Sequence, residues 1–457
     1  MAATATPTAP ASPGTPPGPK GHWFLGNLPE FKRDRLGFFE DLHRGFGDAV
    51  AIRLGPRRRA IVLNHPDLVE EVLVAQNRHF IKHFALRSTR RTLGHGLLTS
   101  EGDFWRRQRR LAQPAFARDR VAAHAPVMVE LAERMLATWR DGEARDVQND
   151  MMRLTLEVVA RTLFGADISG DTAEISEAME TCMRCFTARV NSMIRLPEYV
   201  PTPTHIRLNR AAGRLDRILF DLIARGRASG EERQDLLSLL LRARDVEGGG
   251  GRMTDRQLRD EAMTLFMAGH ETTANTLAWA WYFLANHPEA EAKLHAELDA
   301  VLGDRSPTFA DLPALTYTEH VITETLRVYP TVWIVGREAI EPCEVGGYRI
   351  PVGTTVFMPQ WVIHRDPRWY DDPTSFRPDR WADGLARRLP RYAYFPFGGG
   401  PRICIGNGFA MMEAVLLLAT IARRYRLALA PGAPVKPWPT MTLRPESGVH
   451  VILGRRG

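Results

Sequence analysis

The sequence predicts a mainly α-helical fold with small β-sheets. Three observations carry that prediction: a mostly helical pattern from about Asp103 to Arg244, a long helix opening at Thr254, and a β-rich stretch from Val332 to Met358. A chain of 457 residues with 44% hydrophobic content can bury a large core.

Taken in order, Met1 to Lys20 is rich in Ala, Thr and Pro, without an apolar centre or a basic leader. It reads as a disordered tail and not as a signal peptide or anchor. Ala49 to Leu54 and Ala60 to Leu63 read as short strands around the turn at Gly55-Pro56, and Pro66 opens a helix. The helical region is expected to break at Gly142, Gly165, Gly170 and the Pro197–Pro203 stretch, the last as an exposed loop. Gly248 to Gly251 forms a loop, after which Thr254-x-x-Gln257 fits a capping box. The helix that follows can run to about Asn286, where Pro288 stops it, a span of roughly 48 Å. Further helices reach Tyr329, and the β-rich stretch turns at Gly346-Gly347 and at Pro351 to Gly353. A last apolar helix begins near Asn407. No internal repeat is present.

Lys and Arg number 60 against 53 Asp and Glu, a formal charge of +7. The arginines are spread along the whole chain and no nucleic-acid module occurs, so no nucleic-acid partner is expected. Four cysteines in this length do not suggest a disulfide framework, which favours a reducing cytoplasm. Cys182-x-x-Cys185 lacks a second ligand pair and reads as packing. The apolar runs are too short to span a bilayer, so no membrane anchor is expected.

Cys404 is the most informative residue. It stands in Phe397-Gly-Gly-Gly-Pro-Arg-Ile-Cys-Ile-Gly406, a glycine-dense loop running into a helix. A buried thiolate is costly unless positive charge and backbone N–H groups surround it. Gly398, Gly399, Gly400 and Gly406 permit close backbone approach and positive φ, and the helix aims its N-terminal dipole towards the sulfur. The loop suits a soft metal ligand; a structural cysteine in a turn is the plainer alternative.

The spacing Phe397-x-x-Gly400-x-Arg402-x-Cys404-x-Gly406 resembles the haem-ligand signature of the cytochrome P450 superfamily, with every signature position intact. The resemblance implies the P450 fold, a single haem domain over residues 21–457, with the long helix over the haem. It implies haem b with Cys404 as axial thiolate, and Phe397, Arg402 and Gly406 as cofactor-binding residues. The family's catalytic unit fills the chain, so no fused reductase is expected. Electrons would come from NAD(P)H through a ferredoxin or flavodoxin and its reductase, to a cytoplasmic monomer.

Ala268-Gly269-His270-Glu271-Thr272-Thr273 lies mid-helix, where Gly and paired Thr are poor choices for stability. A zinc-protease His-Glu-x-x-His motif is excluded by Ala274. Close helix packing through small residues would explain the pattern. The segment also resembles the family's oxygen-activation motif, which implies that Ala268 and Gly269 admit dioxygen. By the same resemblance Thr272 would hydrogen-bond it, and Glu271 would link the site to solvent protons. Leu265, Ala268, Gly269, Thr272 and Thr276 share one helix face; His270 reads as an exposed or packing residue.

Glu324 and Arg327 are helix neighbours at i, i+3. With Phe376-Arg-Pro-Asp-Arg380 they resemble the family's buried network of Glu324, Arg327 and Arg380. Trp105, Arg109, Arg337 and Arg402 match propionate-binding positions. Arg106, Arg107 and Arg110 suggest either a solvated basic face or a docking patch for an acidic redox protein. By resemblance the substrate pocket holds Phe84, Leu265, Ala268, Val332, Trp333, Ile334 and Met441, with Trp333 narrowing the approach to iron and residues 84–98 as a roof. These bulky apolar residues suit a fatty acid, terpenoid, steroid or polyketide.

The implied function is a haem-thiolate monooxygenase that hydroxylates or epoxidises a small apolar substrate with dioxygen. A peroxygenase or rearranging enzyme, or a non-catalytic haem sensor, is the alternative. The intact acid–alcohol pair speaks against both.

Overall fold

A computed structural model describes residues 14–165, 172–191, 200–229, 235–245, 251–432 and 434–456. Residues 1–13 of the tail, Gly170, residues 197–199 and residues 248–250 lie outside the described residues. Where the sequence suggests one domain over 21–457, the chain sorts into two compact units, each made of separated segments. One comprises the chain up to Phe84, Val332–Ser375 and Gly384–Cys404; the other comprises Ala85–Thr331, Phe376–Asp383 and the chain from Ile405.

The first unit is built on a five-stranded sheet. Its spatial order is Ala49–Arg53, Arg59–Leu63, Thr355–Met358, Val335–Ala339 and Phe80–Lys82. The first pair is the antiparallel hairpin expected around Gly55, in register Ala49 with Leu63. Arg59–Leu63 then runs parallel to Thr355–Met358, with Ala60 opposite Thr355, and the other pairings are antiparallel. The central strand Thr355–Met358 is buried at every position, as a strand covered on both faces should be. The helix Arg35–Phe46 adds Phe38, Phe39 and Leu42 to the core.

The second unit is organised around the helix Asp255–Asn286. Thr254 Oγ1 accepts from Gln257 N at 3.2 Å and Gln257 Oε1 accepts from Thr254 N at 2.9 Å, completing the predicted capping box. Pro288 starts the next helix, as the stop signal requires. From Leu258 onwards most of the long helix is buried, Trp279 and Trp281 as well as the charged Arg259, Asp260, Glu261 and Glu271, so it is enclosed nearly all round, as a central helix must be. It packs on the helix Val147–Phe164, where Gln148 Nε2 donates to Asn275 Oδ1 at 3.1 Å and Thr155 Oγ1 donates to the His270 carbonyl at 3.0 Å.

The region expected to be helical from Asp103 to Arg244 is interrupted by a strand, Ala144–Asp146. It pairs with His450–Arg455, which also pairs with Tyr425–Leu429. Three residues are too few to display a period of two, and the partner strand lies at the far end of the chain. Gly142 turns with φ 73°, and Gly165 ends a helix in the left-handed region at φ 58°, both at predicted breaks.

Candidate active site

Glu324 is the hub of a buried, densely bonded cluster. Arg327 donates through Nε to Oε2 at 2.8 Å and through Nη2 to Oε1 at 2.7 Å, the bidentate geometry that a guanidinium and a carboxylate prefer. Arg380 Nε reaches Oε1 at 2.8 Å. Two further donors, the Arg377 backbone N–H at 2.9 Å and Trp381 Nε1 at 2.9 Å, could not be read from the motif. Glu324 and Arg327 are completely buried. The network ties Pro378–Trp381, a single 3₁₀ turn, to the helix Thr316–Val328.

The cysteine loop lies in the first unit and is held by its own backbone. Cys404 N donates to the Phe397 carbonyl at 3.0 Å, and Ile403 N donates to the Gly400 carbonyl at 3.1 Å. Gly400 has φ 65°, and a Cβ there would stand 1.8 Å from the Leu73 carbonyl oxygen, so only glycine fits. Its N–H donates to Tyr392 Oη at 3.2 Å. Gly406 departs from expectation: φ is −93°, and an added Cβ would come no nearer than 3.7 Å to Phe116, so protein contacts do not demand glycine there. The Cys404 side chain is exposed and forms no disulfide.

On the long helix, burial is interrupted where the polar motif lies. Leu265 and Thr276 are buried, Thr272 is half-buried and Ala268 is exposed. Thr272 Oγ1 donates to the Ala268 carbonyl at 2.7 Å, and Thr276 Oγ1 donates to the Thr272 carbonyl at 2.9 Å. Gly269 serves packing: a Cβ would meet Val159 Cγ2 at 3.0 Å. His270 is a packing residue, its pKa lowered to about 4 by burial. Glu271 is buried and does not face open solvent. It is 6% exposed and accepts from Thr442 Oγ1 at 2.5 Å. Burial pushes its pKa up, against smaller opposing effects of Thr442 and Arg444.

The cytochrome P450 family model matches residues 16–453. The chain belongs to the cytochrome P450 family. It is 41% identical over 399 residues to cyclooctatin synthase of Streptomyces melanosporofaciens, covering 87% of this chain and 86% of that one. It is 40% identical over 433 residues to cyclooctat-9-en-7-ol 5-monooxygenase of the same organism, covering 94% and 92%. The crystal structure of the cytochrome P450DA heme domain superposes with a TM-score of 0.88 at 28% identity, covering 97% of this chain and 98% of that one. This P450 is a monooxygenase that takes electrons originating in NAD(P)H and uses haem iron with a cysteine thiolate ligand.

The residues present fit that group. Cys404 offers an exposed sulfur at the end of a rigid loop. Arg109, Arg337 and Arg402 are the cations that the haem-binding expectation names. Trp105 and Arg109 lie one turn apart on the helix Gly102–Ala112, where Arg109 Nε also donates to Gln113 Oε1 at 2.9 Å. Arg337 is buried in its strand, with Nη1 donating to the Gly336 carbonyl at 3.0 Å. A guanidinium's five N–H donors allow such a contact and an ion pair together.

The basic cluster beside Trp105 is largely neutralised within this P450. Arg107 Nε and Arg110 Nη2 converge on the buried Asp245 at 2.8 and 2.6 Å, and Arg106 pairs with Asp103. Arg107 and Arg110 thereby brace the helix against Asp245, while Arg106 stays largely exposed beside Asp103. Trp333 is only 4% exposed, and its ring tilts against Phe39 at 6.1 Å in the core of the first unit. Phe84 carries the Arg58 guanidinium over its ring at 3.5 Å, while Val332 is exposed and Ile334 half-buried. Met441 lines a cavity of the second unit together with Met267, the residue before Ala268.

Two buried carboxyl groups escaped sequence reasoning. Glu261 accepts from Leu97 N at 2.9 Å and Gln108 Nε2 at 3.2 Å, and burial raises its pKa to about 7. With Asp260, which accepts from His95 N at 2.8 Å, it anchors the 95–97 segment to the long helix. Glu413 is the only charged residue in the helix Asn407–Ala422, a signal visible in the sequence. Burial raises its pKa to about 8. Thr273 draws the value partly back, yet that hydroxyl's proton goes to the Gly269 carbonyl at 3.3 Å, and neither carboxyl oxygen has a hydrogen bond.

Glu413 makes stability depend on pH. Below its ordinary pKa, carboxyls in both folded and unfolded chains are protonated. Between that value and about 8 the unfolded chain ionises while the folded one keeps its proton, so stability falls as pH rises. Glu413→Gln is neutral throughout. Its gain in melting temperature should be small at pH 5 and large at pH 8.5, at about 1.4 kcal/mol per pH unit across the window as an upper bound. Equal gains at both pH values would contradict the assignment.

Proposed function

We propose that this P450 hydroxylates or epoxidises a cyclic terpenoid, receiving electrons in the cytoplasm through a ferredoxin or flavodoxin and its reductase. The name of cyclooctat-9-en-7-ol 5-monooxygenase describes such chemistry on a cyclic alkenol, and that chain is matched nearly end to end. The reaction consumes substrate, dioxygen, two electrons and two protons, and yields oxygenated product and water. The haem, when bound, supplies reductive activation of dioxygen, with the thiolate donating electron density.

The observation that carries the reading is the acid–hydroxyl pair inside the long helix. Thr272 Oγ1 gives its proton to the Ala268 carbonyl, leaving oxygen lone pairs to accept a hydrogen bond beside the exposed Ala268. Glu271, its pKa raised by burial, holds a proton at a higher pH than a surface carboxyl, and Thr442, whose hydroxyl donates to Glu271 Oε1, is the group through which it would be reprotonated. Arg109, Arg337 and Arg402 would hold the propionates, and Phe397 and Gly406 would border the ring.

With a surrogate ferredoxin system and NADPH, cyclic terpenoids should yield products heavier by one oxygen atom. Thr272→Ala should retain haem while product per NADPH falls roughly tenfold or more and hydrogen peroxide accumulates. Undiminished coupling would remove Thr272 from proton handling, and no product from any cyclic terpenoid would remove the substrate class.

A further inference from the structure

Trp23 is the most exposed large apolar residue described, at 80%, and Phe24 beside it is 46% exposed. Their rings lie 5.4 Å apart. A single exposed apolar side chain needs no explanation, but an adjacent aromatic pair standing in water does. The pair is held out rigidly. His22 N donates to the Gly26 carbonyl at 2.7 Å and Gly26 N to the His22 carbonyl at 2.8 Å, closing a tight turn. Within it, His22 Nδ1 accepts from Phe24 N at 3.2 Å and from Leu25 N at 3.1 Å. Arg53 Nη2 donates to the His22 and Trp23 carbonyls, both at 2.7 Å. Gly26 has φ 61°, and a Cβ there would stand 2.1 Å from the Arg53 carbonyl oxygen, so the turn sits directly against the strand Ala49–Arg53. The turn cannot fold its rings inward without losing these bonds.

A basic hairpin tip adjoins the aromatic turn. Gly55 N donates to the Leu25 carbonyl at 2.9 Å, which sets the turn against Gly55-Pro-Arg-Arg-Arg59 between the first two strands. Arg59 stands opposite Arg53 across that hairpin, a like-charge pairing that stability alone disfavours. Arg53 is turned to the two carbonyls of the aromatic turn, and Arg58 lies over the Phe84 ring. Lys20, Arg57 and Arg59 are exposed, and none of these three side chains has an ion pair or hydrogen bond among the described residues. No acid occurs in residues 15–27 or 54–63 to balance them.

Size and charge decide what such a surface holds. Two aromatic rings bury about 150–250 Å² each when fully covered, whereas a stable protein interface takes about 800 Å² from each partner. The apolar tip is too small for that. A bilayer surface demands no matching shape: aromatic rings settle at the headgroup level, and Lys and Arg are drawn to anionic lipid within a Debye length. No described helix is long and apolar enough to cross a membrane, so contact of this kind is peripheral. We propose that the Trp23–Phe24 turn, with Lys20, Arg57 and Arg59, is a docking surface for an anionic lipid bilayer. The rings enter the headgroup layer and the cations meet lipid phosphates. Docking does not depend on the substrate class; on the terpenoid reading it brings the enzyme to the phase in which such a substrate dissolves.

The test is flotation of the haem-loaded full chain with vesicles of phosphatidylcholine alone or mixed with phosphatidylglycerol. At about 50 mM salt the protein should bind the mixed vesicles roughly a hundredfold more tightly, about fivefold for each of three cations. Binding should fall steeply towards about 500 mM salt. Trp23→Ala with Phe24→Ala, and separately Arg57→Glu with Arg59→Glu, should each weaken binding to mixed vesicles roughly tenfold or more. Both pairs should keep the parent's melting temperature and carbon monoxide spectrum, because these side chains are exposed. Arg118→Glu with Arg120→Glu makes the same charge change on the exposed side of the helix Arg118–Ala122 and should bind as the parent does. No binding to mixed vesicles, equal binding to both kinds, or equal losses in tip and control variants would each overturn the proposal. Self-association that Trp23→Ala with Phe24→Ala abolishes, without vesicle binding, would give the surface to a second copy and overturn it as well. The product assay with cyclic terpenoids runs without vesicles, so a failed substrate class and a failed docking surface are read separately.

Discussion

Glu324→Ala should cost this P450 roughly 3–5 kcal/mol of stability, the scale for removing one partner of a buried ion cluster. The carboxylate collects two bonds from Arg327, one from Arg380, one from Trp381 and one from the Arg377 backbone. Its removal strands the completely buried Arg327 charge without its counter-ion and leaves an indole N–H and a backbone N–H without their acceptor. The melting temperature should fall by many degrees or soluble protein should be lost. Glu324→Gln should be intermediate, because the amide retains one acceptor oxygen. Arg44→Ala is the control: its partner Asp41 lies at 3.1 Å, but both side chains are about three-quarters exposed, so the melting temperature should not move. Similar melting temperatures for Glu324→Ala and Arg44→Ala would show that the cluster contributes no more than a surface pair.

Cys404→Ser should abolish the red-shifted thiolate band of the reduced carbon monoxide spectrum and all monooxygenation, while the protein stays folded. The loop's geometry does not depend on the sulfur. Cys404 is fixed by its backbone N–H to the Phe397 carbonyl, and the turn by Gly400 seated on Leu73. A serine hydroxyl keeps its proton at neutral pH and is a hard donor, so it supplies neither the charge nor the polarisability of a thiolate. Unchanged melting of the haem-free chain beside a lost band would assign the effect to ligation. A retained band would place the ligand elsewhere.

How much of this was legible depends on sequence distance. The capping box at Thr254 and the bidentate Glu324–Arg327 pair span three residues, and local spacing gave both. The other donors to Glu324 arrive from more than fifty positions later, and only a family motif pointed to Arg380; Arg377 N and Trp381 carry no local mark. The pairing of Arg107 and Arg110 carries no local mark because Asp245, their shared partner, is 135 or more residues away. The setting of Glu271 is hidden in the same way, since Thr442 donates to it from the C-terminal region. For Trp333 the local sequence does not say which way the ring turns; its contact with Phe39, far earlier in the chain, decides that. Glu413 could have been found, because a lone acid in an apolar helix is conspicuous.

The backbone bonding of the cysteine loop has a chemical consequence. Position 404 behaves as a socket: main-chain contacts and one glycine fit determine where its side chain starts, and the side chain contributes only the donor atom. The electronic character of the fifth ligand is thus separable from the architecture that presents it. Selenocysteine or histidine placed there would change the electron push on the metal across a series of proteins sharing one scaffold, and differences in reactivity along that series would report ligand chemistry alone.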